Sequence, residues 1–122
     1  PPPPPPPPAK VYTGPFKTIS ASDRHARYSL RVPRNCVAPG QSFTATLKSR
    51  RKTRVFRRLS RVDFYLEKKR LRIDRKAPFA HRYKVAATQR SGSTIKLRAR
   101  AFIKLKRGKT SRKTLRATVK IC

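Results

Sequence analysis

One stretch of the sequence decides the fold: Ile95-Lys96-Leu97-Arg98-Ala99-Arg100-Ala101-Phe102-Ile103-Lys104. Every second residue is apolar, and the residues between them are mainly Lys or Arg. Successive side chains of a β-strand point to opposite faces, so a period of two is typical of a half-buried strand. The stretch therefore predicts a strand with one face on a core and a cationic face toward solvent.

Six further segments show the same alternation. Their apolar positions are Tyr28, Leu30 and Val32; Phe43, Ala45 and Leu47; Val62, Phe64 and Leu66; Leu71 and Ile73; Phe79, Tyr83 and Val85; Leu115, Ala117, Val119 and Ile121. No segment has a convincing helical period, and turn residues such as Pro39-Gly40, Gly92 and Gly108 fall between the segments. About seven strands at this spacing predict an all-β fold, an immunoglobulin-like antiparallel β-sandwich.

The chain before Tyr28 has a different character. Residues 1–8 are all proline, and we expect residues 1–10 to form a polyproline II spacer of about 3.1 Å per residue, or alternatively a ligand for an aromatic groove. Residues 11–27 are weakly patterned and are expected to form a weakly ordered lead-in to a domain over residues 28–122. Because the chain starts with proline and contains no Met, we expect a fragment or a processed chain.

Length and charge limit the classes of protein. The chain has 122 residues, which fits one domain with a tail, and a formal net charge of +30 at pH 7. No apolar stretch reaches the ~18 residues of a transmembrane helix. Such a charge attracts polyanions, namely nucleic acid, acidic lipids or cell-wall polymers, although it also fits a merely solvated surface.

Two groups of cations are candidate polyanion-binding residues. The first is a ladder on one strand face, which the last strand extends if it lies alongside: Lys96, Arg98, Arg100, Arg116 and Lys120. The second lies in the segment from Ser49 to Arg58, which we expect to be a solvated loop: Arg50, Arg51, Arg54, Arg57 and Arg58. Arginine suits bidentate phosphate contacts. Only Phe102 shares the face of the ladder, whereas a base-stacking platform usually interleaves several aromatic residues.

No catalytic constellation is present, so we expect no enzyme, no cofactor and no metal site. Asp63 and Glu67 share a strand face, and surface ion pairing explains them better than acid–base catalysis does. His81 lies in register with Phe79 and Tyr83 and is expected to be a half-buried packing residue. The sequence contains neither a nucleophile elbow nor a phosphate-binding glycine loop.

Three separated motifs resemble the bacterial immunoglobulin-like domain family. Val62-Asp63-Phe64-Tyr65-Leu66-Glu67 is similar to its V-x-F-Y-x-D-G hairpin, and Asp74 with Ala77-Pro78-Phe79 to its D-x-x-x-P-F/Y segment. Residues 92–101 are similar to its G-x-x-x-L-x-A-x-A strand. Glu67-Lys68 replaces the usual Asp-Gly, so we expect a longer or differently shaped hairpin there. The resemblance implies a module of a secreted or cell-surface protein that acts as a spacer, stalk or adhesive unit.

The two cysteines, Cys36 and Cys122, admit a disulfide, two buried thiols or half of a metal site. No CxxC spacing occurs, and His25 and His81 match no zinc-finger pattern, which disfavours a metal. In an immunoglobulin-like sandwich the first strand can pair in parallel with the last, which brings both cysteines to one end. A structural disulfide is therefore favoured over free thiols, and with it an oxidising compartment.

The leading hypothesis is a non-catalytic, extracellular or cell-surface structural module. Its expected partners are neighbouring domains, copies of itself in a self-assembled filament, or anionic surface polymers. The alternative is a nucleic-acid-binding protein of ribosomal or chromatin type that uses its Arg/Lys face. Reduced cysteines and steeply salt-dependent binding to RNA or DNA would mark that alternative.

Overall fold

The computed structural model describes residues 2–3 and 10–122, so most of the expected polyproline spacer (residues 1–10) lies outside the described residues. Within them the chain forms eight strands: β1 (Phe16–Ser22), β2 (Ala26–Pro33), β3 (Ser42–Arg51), β4 (Phe56–Leu66), β5 (Lys69–Asp74), β6 (Phe79–Lys84), β7 (Thr94–Leu105) and β8 (Thr110–Lys120). A short 3₁₀ turn (Lys106–Gly108) joins β7 to β8. None of the described residues belongs to a helix with the length and apolar character needed to cross a membrane.

The strands form two four-stranded sheets, with strand orders β1-β2-β3-β6 and β5-β4-β7-β8. Neighbouring strands within each sheet are antiparallel. The alternating apolar residues of both sheets meet in one core, which includes Leu30 and Phe43 from the first sheet and Phe64, Leu97 and Ile103 from the second. The predicted all-β sandwich is confirmed, and each of the seven predicted segments forms a strand.

The eighth strand, β1, corrects the prediction of a weakly ordered lead-in over residues 11–27. β1 pairs with β2 along its whole length, from Phe16 opposite Pro33 to Ser22 opposite Arg27. Its side chains are half-buried or exposed because β1 lies at a sheet edge, and Ile19 and Ala21 form a short inward face between exposed polar residues.

The segment from Ser49 to Arg58 is also more ordered than predicted. β3 continues to Arg51 and β4 begins at Phe56, so only residues 52–55 form a loop. Arg50 and Arg51 are paired with β2, and their side chains are exposed. Charge on the outer face does not prevent strand pairing, which depends on backbone hydrogen bonds.

The hairpin between β4 and β5 is tight, so of the two expectations, a longer or a differently shaped connection, the longer one is wrong. Only Glu67 and Lys68 separate the two strands, and Glu67 adopts a left-handed backbone conformation with φ 54°. A positive φ at a two-residue turn is typical of hairpins whose twist matches that of the strands.

The segment before β1 is anchored to the sandwich by Tyr12, whose side chain is buried. Its backbone N–H donates to the carbonyl of Ser42 at 2.8 Å, and its hydroxyl donates to the carbonyl of Pro15 at 2.6 Å. The same hydroxyl accepts a hydrogen bond from the N–H of Asn35 at 3.2 Å. A Cβ atom at Gly14 would lie 2.5 Å from the Tyr12 hydroxyl, so the anchor requires glycine at that position.

Candidate anion-binding face

The predicted disulfide is formed and covalently links two segments at one end of the sandwich, which we call the cystine end. Cys36 follows β2, Cys122 follows β8, and their Cα atoms lie 5.0 Å apart. Beside the bond, Val37 and Ile121 form a parallel bridge, with the Val37 N–H donating to the Lys120 carbonyl at 2.9 Å. The parallel pairing expected between an early strand and the last one therefore joins the segments that carry the two cysteines.

The chain has only four carboxylates, and the first, Asp23, is used to build the β1–β2 turn. One of its oxygens accepts hydrogen bonds from the N–H groups of His25 (2.8 Å) and Ala26 (2.9 Å). The other accepts from the Tyr28 hydroxyl at 3.1 Å. Burial tends to raise the Asp23 pKa, but these hydrogen bonds outweigh burial and lower it.

Asp63 is buried, which corrects its interpretation as a surface residue. Its carboxylate accepts two hydrogen bonds of 2.7 Å from the guanidinium of Arg61, and Arg70 lies 3.7 Å away. The hydrogen bonds to Asp63 raise the pKa of Arg61. The pair is structural, because it satisfies the one carboxylate that the second sheet buries on its outer side.

The remaining carboxylates also bind within the fold. Asp74 accepts hydrogen bonds from the N–H groups of Lys76 and Ala80, both at 3.1 Å, and therefore shapes the β5–β6 connection. Glu67 accepts from the N–H of Lys96 at 2.9 Å, across the β4–β5 hairpin. All four acidic side chains thus make internal contacts, and most of the cations have no carboxylate to neutralise them.

The predicted ladder lies on the outer face of the second sheet. β8 pairs with β7 and brings Arg116 directly opposite Arg98, while Lys120 lies opposite Thr94. The expectation that the last strand lies beside β7 is therefore confirmed. Like charges directly opposite each other on neighbouring strands are destabilising, and the Arg98–Arg116 pair is of this kind.

Aromatic rings hold several of the guanidinium groups in place. Arg98 lies over the ring of Tyr65, with 4.3 Å between its Cζ and the ring centroid, and Arg100 lies 5.7 Å from the same centroid. Arg61 lies over Phe102 at 4.4 Å. Such cation–π contacts orient an arginine side chain without neutralising its charge.

Sequence reasoning missed Tyr65 and Arg61 as members of this face. Tyr65 is outward in the β4 alternation, but it is only 9% exposed because the arginines of β7 cover it. Its ring therefore supports arginines and is not open to a stacked base. The alternation in the sequence already indicates that Tyr65 is on the outer face, because it follows the inward Phe64 by one position.

The second predicted cluster lies at the opposite end of the sandwich, named here the basic end. Arg50 and Arg51 end β3, Arg54 is in the loop, and Arg57 and Arg58 begin β4. The β1–β2 and β7–β8 connections are hydrogen-bonded to that loop, through the Lys52 N–H to the His25 carbonyl and the Lys106 N–H to the Val55 carbonyl. The structure therefore joins this cluster to the β1–β2 turn and to the basic β7–β8 turn, and separates it from the cystine end.

His81 has the predicted half-buried packing role. It stacks on Phe64 with 6.0 Å between ring centroids and meets Tyr83 edge-on at 4.7 Å. Burial, followed by the positive charge of Arg72, lowers the pKa of His81. A neutral imidazole between two aromatic rings fits packing.

No protein-family model and no curated protein matches the chain. Its fold is similar to a solved structure of the fibronectin(III)-like modules of Clostridium thermocellum CbhA, with a TM-score of 0.49 and 16% identity over 83% of this chain. The chain spans 50% of the length of that structure. Membership of the bacterial immunoglobulin-like family is thus unsupported by a family model. The two sheets and the cystine of the chain itself define a disulfide-bonded module of the immunoglobulin-like sandwich class.

Proposed function

We propose that this module is a non-catalytic, extracytoplasmic domain that attaches to anionic surface polymers through the outer face of its second sheet. The observation that supports the proposal best is the Arg98–Arg116 pair, two like charges in direct register. Of the four carboxylates, Asp63 and Glu67 lie at this face, and both already bind within the fold, so the cations of the face outnumber the counter-charges that the protein supplies.

An external polyanion would compensate the repulsion on this face. A strand presents same-face residues about every 6.8 Å, so β7 and β8 offer regularly spaced cations to a linear chain of negative charges. Binding would release the counterions of the polymer, and affinity would therefore fall steeply with salt.

The disulfide supports the extracytoplasmic part of the proposal. Cystines persist in oxidising compartments and are rare in the cytosol, where thiols are kept reduced. Intact mass, measured with and without reductant after thiol blocking during purification, tests this part. Two freely alkylated thiols would contradict it and would favour the nucleic-acid alternative.

Binding to long-chain polyphosphate at several salt concentrations tests the adhesive part. The double variant Arg98→Glu/Arg116→Glu is expected to weaken binding about a hundredfold or more and to flatten the salt dependence. Lys48→Glu/Lys84→Glu makes the same change in net charge on exposed positions of the first sheet and is the matched control.

Equal losses in both double variants would show that only net charge matters and would refute a dedicated face. A single-stranded RNA of matched charge is the second ligand. Stronger binding to the RNA than to polyphosphate at equal salt would instead favour the nucleic-acid alternative.

A further inference from the structure

A cavity of about 590 Å³ borders the half of the ladder that is nearer to the cystine end. Five cationic side chains line the cavity, and they come from four separate segments of the fold: Lys17, Lys68, Lys96, Arg98 and Arg116. One carboxylate, that of Glu67, also lines it. Concave basic walls concentrate the positive potential more strongly than a flat strand face does.

The single carboxylate offsets only one of these five positive charges. Glu67 accepts a hydrogen bond from the backbone N–H of Lys96 at 2.9 Å and so supports the β4–β5 hairpin. The charge of the cavity therefore stays strongly positive.

One donor of Arg98, a residue of the cavity wall, has no hydrogen-bond partner within the protein. The Nε atom of Arg98 is buried and has no hydrogen-bond partner. A buried donor without a partner is destabilising, the more so when the group is charged. Since Tyr65 holds the plane of this guanidinium, the edge that carries Nε has a fixed orientation.

We propose that this cavity is a binding site for one tetrahedral oxyanion, a phosphate or sulfate group, with Arg98 and Arg116 as its principal ligands. The oxyanion accepts hydrogen bonds from the two Nη groups of Arg98, in the bidentate manner that guanidinium groups favour. Arg116 and Lys96 supply further charge from β8 and β7. This inference deepens the proposed function, since it names the group of the polymer that the face would select.

The site is preorganised by the sheet. Arg98 and Arg116 are opposite each other in a β7–β8 ladder that continues without a register shift from Thr94–Lys120 to Lys104–Thr110. The backbone therefore loses little conformational freedom when an ion binds, and this raises the affinity for a small ion.

The test titrates isotope-labelled protein with inorganic phosphate and, separately, with sulfate, while NMR follows the backbone amides and the arginine Nε–H groups. Localised shifts are expected at Arg98, Arg116 and Lys96. Arg116→Gln is expected to weaken phosphate binding about tenfold, the loss of roughly one charge-assisted hydrogen bond. Arg112→Gln is the matched control, because Arg112 is exposed on the same strand but does not line the cavity.

Shifts spread evenly over the basic surface, or equal weakening by both variants, would overturn the site. Polyphosphate binding with its salt dependence would then still stand, so the failure of the site differs from failure of the proposed function. Conversely, a localised phosphate site with no gain in affinity for polyphosphate would support the site, identify a free ion as its ligand and refute polymer attachment.

Discussion

The guanidinium of Arg61 donates two hydrogen bonds of 2.7 Å to the carboxylate of Asp63, although the two residues lie only two positions apart on one strand. The partners are unequally placed: the Asp63 side chain is 1% exposed and that of Arg61 is 30% exposed. Loss of the arginine would leave the buried Asp63 carboxylate without its main partner, whereas the arginine itself has access to water.

Arg61→Ala should therefore lower the free energy of unfolding by about 2–4 kcal/mol, somewhat less than for a fully buried pair. Arg70→Ala removes a cation 3.7 Å from the same carboxylate and is expected to cost less than about 1 kcal/mol. Urea denaturation of the two variants measures the difference. Because both lose one positive charge, equal effects would contradict a specific role for Arg61.

His81 gives the fold a pH dependence. Its pKa is lowered in the folded state, so the unfolded chain binds more protons there as the pH falls below the ordinary value of 6.5. The stability linked to His81 is complete above that pH and is lost as the pH drops through the folded pKa. His81→Phe, which keeps a ring beside Phe64, should flatten the decline in stability between pH 7 and pH 5.

Thermal unfolding across that pH range provides the measurement. Arg72→Ala removes the positive charge that contributes to the shift and should flatten the profile in part while His81 is retained. An unchanged slope in His81→Phe would show that other groups cause the acid sensitivity.

Gly14 is predicted to be intolerant of a side chain. In Gly14→Ala the new Cβ would collide with the Tyr12 ring, and displacement of the ring breaks its hydroxyl bonds to Pro15 and Asn35. The expected loss is about 1–3 kcal/mol, together with faster proteolysis near residues 10–15. Thr13→Ala, an exposed neighbour, is the control and should change neither quantity.

The disulfide is predicted to be a major source of stability. It links residues 86 positions apart, and closing a loop of that order is worth about 4 kcal/mol in the chain-entropy model. Cys36→Ser/Cys122→Ser should lose about that amount in urea denaturation. A loss that matches the effect of reductant on the wild type would confirm the assignment, and a negligible loss would refute it.

The sequence predicted β7 and β8 well because the side chains of these two strands follow a period of two. In β7 the apolar residues from Ile95 to Ile103 are buried, and the cations between them lie on the outer face. The position of a residue along such a strand determines the face on which its side chain lies, so the cationic ladder could be predicted without knowledge of the fold.

Other features depend on contacts between segments that no local pattern shows. The burial of Asp63 depends on Arg61, and the burial of Tyr65 depends on arginines about 35 residues away in sequence. β1 was missed because its inward face carries only two alternating apolar residues, Ile19 and Ala21, which is too short a run to indicate a strand. The cavity combines β1, the β4–β5 hairpin, β7 and β8, and its shape emerges only when these four segments are placed.

The Cys36–Cys122 bond also determines how the module carries mechanical tension. A force applied between Lys10 and Cys122 passes through residues 10–36 and then through the disulfide bond, so residues 37–121 bear none of it. Only the Tyr12 anchor, β1 and β2 can unravel, and at about 3.5 Å per residue that segment extends to about 95 Å. Reduction would open the whole described chain, about 400 Å long when extended. The disulfide therefore limits the length to which the oxidised module can be extended under tension.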